Sequence, residues 1–127
     1  MQSLIHAQMS QISGSTLNFS FKSLSNTELV SKLKTKVLEE RKALTEILHL
    51  LREVELRRLY ALYGYSSLFN FVVNELGYDE SSAYRRIEAM RLMKDLPTQE
   101  AKKVETRLEE GKVSLTNLSS LQGFIRR

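Results

Sequence analysis

Between Ser25 and Tyr63 the sequence contains neither glycine nor proline, and apolar residues recur in it at steps of three and four. Leu29, Val30, Leu33, Val37, Leu38, Leu44, Ile47, Leu48, Leu51, Val54, Leu59 and Leu62 make up the pattern. That period lays side chains along one side of an α-helix, whereas a strand needs strict alternation. The stretch opens on Ser25-Asn26-Thr27-Glu28, a capping box in which each side chain satisfies a backbone N–H at the helix start. The spacing predicts either one very long helix or two joined near Lys36 to Arg41.

The rest of the chain is punctuated for further helices. Gly64 suits the position just past a helix end, and Ser66 or Ser67 can cap the next helix, whose apolar face is Leu68, Phe69, Phe71, Val72 and Leu76. Gly77 stops it. Asp79 is a good N-cap for a helix running through Ala83, Tyr84, Ile87, Met90, Arg91 and Met93 to Leu96. Ser82 stands where Glu would complete the capping box. Pro97 ends that helix, because it blocks helical geometry in the residue before it. Thr98 is read as the cap of a helix to about Glu110, which Gly111 ends, and a last short helix starts near Ser114 or Thr116. The fold class is therefore all-α, with five or six helices. A long N-terminal helix or helix pair comes first, then a helix-turn-helix-like unit at 66–96, then short C-terminal helices. A Ser- and Gln-rich stretch over 1–24 reads as a flexible tail, and 25–127 as a single helical domain. Leu17, Phe19 and Phe21 alternate with polar residues in that tail.

Composition excludes several chemistries. The 127 residues contain no cysteine and only two histidines, so a disulfide scaffold, a thiolate nucleophile and a Cys- or His-built metal centre are not expected. Glu39–Glu40 and Glu109–Glu110 are adjacent pairs, which diverge on a helix and do not converge on one proton. The five glycines are isolated, so no phosphate-cradling loop is present. No catalytic residues, metal or cofactor are expected. No window approaches the roughly 20 apolar residues of a spanning helix, and no export signal is visible, so no membrane partner is expected and a cytoplasmic location follows by default.

The turn at Leu76-Gly77-Tyr78-Asp79 between two apolar helices is the chain's clearest functional motif. In a DNA-binding unit of this kind the second helix enters the major groove and its first turns face the bases. Here those positions carry Ser81, Ser82, Arg85 and Arg86, with Arg91 and Lys94 further along to meet the backbone. Charge argues the other way. The net charge of +4 does not come from this segment. Residues 63–97 carry four cations against five anions, whereas Lys32–Arg58 carries eight against five and the chain beyond Pro97 six against four. Phosphate binding draws on concentrated positive charge, so the flanking helices would have to supply much of it.

Four stretches occur together: Leu-Ser-Asn-Thr-Glu-Leu from Leu24, Arg-Arg-Leu-Tyr-Ala-Leu-Tyr-Gly-Tyr-Ser-Ser-Leu-Phe from Arg57, Leu-Gly-Tyr-Asp-Glu-Ser-Ser-Ala-Tyr-Arg-Arg-Ile-Glu-Ala-Met-Arg from Leu76, and Glu-Glu-Gly-Lys-Val-Ser-Leu-Thr-Asn-Leu from Glu109. In this order they resemble the helical domain that precedes the nuclease module in a group of bacterial HNH endonucleases. The resemblance covers about Leu24 to Leu121 and implies an accessory, DNA-contacting or assembly domain without its catalytic partner. Neither His6 nor His49 lies in anything like the His-Asn-His module. Three readings stand side by side. One is a non-catalytic module bound to duplex DNA. The second is a protein-interaction or homodimer module acting through the long helix. The third is a remnant of a longer nuclease.

Overall fold

The capping box forms as written. In the computed structural model, which describes residues 21–125 and side chains through Ser120, the Glu28 N–H donates to Ser25 Oγ at 3.1 Å and the Ser25 N–H to Glu28 Oε2 at 3.4 Å. From it one helix, α1, runs Asn26–Arg57 without interruption at Lys36–Arg41. The break comes later. Arg58 adopts a left-handed backbone (φ 53°), and a single turn, α2 (Leu59–Leu62), follows it. Nothing in the residue types announces this, because a left-handed position is ordinarily glycine's.

Five more helices complete the described residues, among which no strand occurs: α2, α3 (Leu68–Asn74), α4 (Glu80–Asp95), α5 (Thr98–Glu109) and α6 (Leu115–Ile125). Their ends follow local rules. Gly64 (φ 87°) closes α2 with paired bonds, Gly64 N–H to Ala61 O and Tyr65 N–H to Tyr60 O, the Schellman arrangement. Gly111 (φ 76°) closes α5 in the same way, through Leu108 O and Arg107 O. Ser67 caps α3 through the Asn70 N–H, and Ser114 caps α6 through the Asn117 N–H. Leu96 is extended before Pro97, as a residue preceding proline must be. Thr98 is not a cap: it is already the first helical residue, and Pro97 holds the cap position with no side-chain bond.

The chain divides into two compact units, Met1–Val37 and Leu38–Arg127, so the boundary falls inside α1. The tail reading over 1–24 lies outside the described residues except for its last four positions. In the first unit no described residue is buried, and the Lys32 ammonium lies 5.9 Å from the centre of the Phe21 ring.

The second unit holds the core, and α4 is its centre. Ala83, Ile87, Ala89, Met90, Leu92 and Met93 are all buried, positions that go nearly round the helix. A helix apolar on most sides must be covered on most sides. Here α6, α3 and α5 pack against it, and Leu48 and Leu51 of α1 join the same cluster with Leu68, Phe71, Val72, Leu108 and Leu118. Each large side chain buried this way contributes about 1.5–3 kcal/mol relative to exposure. Polar ties add to this: Thr45 Oγ1 of α1 donates to Glu109 Oε1 of α5 at 2.9 Å, and Tyr65 Oη, in the loop before α3, donates to Glu75 Oε2 just past that helix at 2.8 Å. The Glu75 carboxylate, as acceptor and as neighbouring negative charge, pushes the Tyr65 phenol above its usual range, with desolvation adding to the effect. No described helix is long and apolar enough to cross a membrane.

Candidate nucleic-acid interface

The burial of α4 limits what it can read. Its middle is buried, and an outward side remains only at its start, where Glu80, Ser81 and Tyr84 are exposed, and at its end, where Lys94 and Asp95 are. Asp79 caps the helix, accepting the Ser82 N–H at 2.7 Å and the Ser82 hydroxyl at 3.1 Å. The backbone bond chiefly, then the hydroxyl, hold the Asp79 carboxyl below the ordinary carboxylate range, and Arg85 adds to this while desolvation opposes it. Ser82 is thus committed to the cap. Arg85 Nη2 reaches the Ser82 hydroxyl at 3.5 Å. The Arg86 guanidinium stacks 4.5 Å from the Tyr78 ring centre and donates to the Ser82 carbonyl, with its Nε buried and without an acceptor. Ser81, Ser82, Arg85 and Arg86 therefore gather at one helix end, beside the negative charges of Asp79 and Glu80.

Arg91 and Lys94 go elsewhere. They lie six and nine residues past Arg85, about 9 and 13 Å along the axis. Arg91 donates to Glu55 Oε2 from Nη2 (2.7 Å) and Nε (3.2 Å) and lies 3.7 Å from the buried Glu88 carboxylate. Lys94 Nζ is 3.9 Å from Glu55 Oε1. Arg91 is thus a tie between α4 and α1, whereas Lys94, half exposed, also borders a cleft.

That cleft leads to a stronger concentration of positive charge. It has a volume of about 280 Å³, with an apolar floor of Leu48, Met90, Met93 and Leu96 and a rim of His49, Arg52, Lys94, Lys102 and Glu105. Two further clefts adjoin it by sharing rim residues. One shares Arg52 and Lys94 and adds Glu55 and Arg58. The other shares Lys102 and adds Lys103, Arg107, Glu110 and Lys112. The three form a track of clefts linked only at shared rim residues, which stand on α1, α4 and α5. Seven cations line it against three carboxylates, and each carboxylate has a cationic or imidazole partner: Glu55 with Arg91, Glu105 with His49 (3.1 Å), Glu110 with Lys112 (3.0 Å). The excess of charge on the flanking helices was visible in the sequence. Its convergence was not, because Arg52, Lys94 and Lys102 stand on three different helices.

Among the described residues no group of three His, Cys, Asp or Glu side chains is placed to hold a metal ion. No protein-family model, curated protein or solved structure matches the chain.

Proposed function

We propose that this chain is a non-catalytic helical module that binds duplex DNA, of the accessory kind its sequence resembles in HNH endonucleases. The observation supporting this is the basic track shared by α1, α4 and α5. Lys and Arg side chains along linked clefts neutralise phosphates and release counterions, and that release supplies much of the affinity of sequence-independent binding. The exposed start of α4, with Ser81, Tyr84 and the partly exposed Arg85, supplies a second, local contact. In this reading the track provides the affinity and the helix start positions the module.

The test is fluorescence anisotropy on a duplex of about 20 base pairs across a salt series. Five of the seven cations engaged would give a slope of log K against log salt near −4.5, or about a 500-fold loss between 50 and 200 mM. Replacing Lys102, Lys103 and Arg107 together by Ala should flatten the slope by about 2.7. Absence of salt-dependent binding, or a triple variant with an unchanged slope, overturns the reading.

A further inference from the structure

Two side-chain contacts set the register between α1 and α5. Thr45 bonds to Glu109 at 2.9 Å and His49 to Glu105 at 3.1 Å, so four residues up α1 match four residues down α5, and the two helices run antiparallel there. The next rung, one turn or about 5.4 Å further on, falls at Arg52–Glu53 against Ala101–Lys102. Glu53 is engaged with Arg57 at 3.1 Å, and among the described residues no carboxylate pairs with Arg52 or Lys102. Both line the 280 Å³ cleft, and Lys94, with Nζ 3.9 Å from Glu55, is the third cation on its rim. The first two rungs are closed by an acceptor, whereas the third holds a cation on each side of an apolar floor.

We propose that this cleft binds a small amphiphilic monoanion, a carboxylate on an apolar body. The head group lies at Arg52, Lys94 and Lys102, and the body lies over Leu48, Met90 and Met93. The two parts of the lining select it together. A hydrocarbon or an organic cation leaves the three positive groups without counter-charge. Inorganic phosphate, or the backbone of a nucleic acid, matches the charges but not the apolar floor. Glu105, whose side chain is 27 % exposed and bonded to His49, adds a negative charge at the neighbouring rung and so disfavours a second anionic group. Size limits the body: at roughly 30 Å³ per water the cleft equals about nine water volumes, room for about ten non-hydrogen atoms. The two methionines on the floor are flexible and polarisable, which suits a body of varied shape.

The experiment is a titration of the full chain, labelled with carbon-13 at its methionine methyl groups, with octanoate, octylammonium and inorganic phosphate. Octanoate should shift the Met90 and Met93 signals saturably, with Kd about 1 mM. Octylammonium, with the same body and the opposite charge, should bind at least about 10-fold more weakly. Phosphate, with charge and no body, should leave the two signals in place up to about 20 mM. Arg52→Ala with Lys102→Ala should weaken octanoate about 10-fold and leave the thermal transition unchanged, since both side chains are exposed. Ala101→Leu, which puts a larger helix-forming side chain into the cleft, should abolish binding. No saturable shift below about 20 mM octanoate, equal binding of octylammonium, or an equal response to phosphate overturns the proposal. Full octanoate affinity in either folded variant overturns it too. The titration contains no DNA, so this site stands or falls separately from the nucleic-acid reading.

Discussion

Glu55→Gln should make the protein less stable and, at the same time, a better ligand for nucleic acid. Glu55 accepts two hydrogen bonds from Arg91, at 2.7 and 3.2 Å, with Lys94 at 3.9 Å. The Arg91 and Glu55 side chains are only 30 and 21 % exposed, so solvent screens this pair far less than an exposed one. Hydrogen bonds to charged groups contribute about 1.5–3 kcal/mol, and Gln keeps one acceptor oxygen, so the expected loss is about 2 kcal/mol. For a chain of this size that corresponds to roughly 8 °C in Tm. Urea denaturation of Glu55→Gln, Arg91→Ala and the double variant should return a coupling of about 1.5 kcal/mol. The same substitution removes a negative charge from the track and frees Lys94, so DNA affinity at low salt should rise and the salt slope steepen by up to about 0.9. A coupling below about 0.5 kcal/mol would refute the assignment of Arg91 as a tie between helices. A stable variant with weakened DNA binding would refute the geometry of the track.

Other substitutions probe single features. Arg58→Gly relieves a left-handed arginine and should raise stability by about 1 kcal/mol in thermal melts, while removing one cation should weaken DNA binding. Gly111→Ala places a methyl group at φ 76° and 2.5 Å from the Arg41 guanidinium carbon, so a loss of about 1–2 kcal/mol is expected in urea titrations. Arg41→Ala in the same background should recover the steric part only. Asp79, whose folded carboxyl lies below its ordinary range, contributes stability that is complete above about pH 5 and is lost as pH falls through the folded value. The Tm gap between the unsubstituted protein and Asp79→Asn should therefore close on acidification, and a gap constant with pH would count against the cap.

Much of the helical plan was legible because its signals act within one turn. Ser25 with Glu28, Ser67, Asp79 and Gly111 each bond backbone three residues away, Pro97 constrains the residue before it, and each lies where its residue type predicts. Thr98 misled because proline displaced the cap by one position. Arg58 escaped because an arginine carries no mark of a left-handed backbone. The site was legible only in part. The two arginines after Asp79 belong to the exposed start of a helix, but the reading of Arg91 as a backbone contact took no account of Glu55, 36 residues earlier in the chain.

By itself the sequence determined the helices, their ends and the segments that carry the surplus charge, since periodicity, caps and charge counts are properties of neighbouring residues. Tertiary structure decided which of these meet. It made α4 the buried centre rather than a free reading helix, and it paired His49 with Glu105 and Thr45 with Glu109 across 56 and 64 residues. It also brought cations of three helices to the rims of neighbouring clefts. The reason is physical. A helix forms through bonds that close within a turn, whereas a charged face is a sum over helices whose relative placement depends on how their apolar sides fill one core.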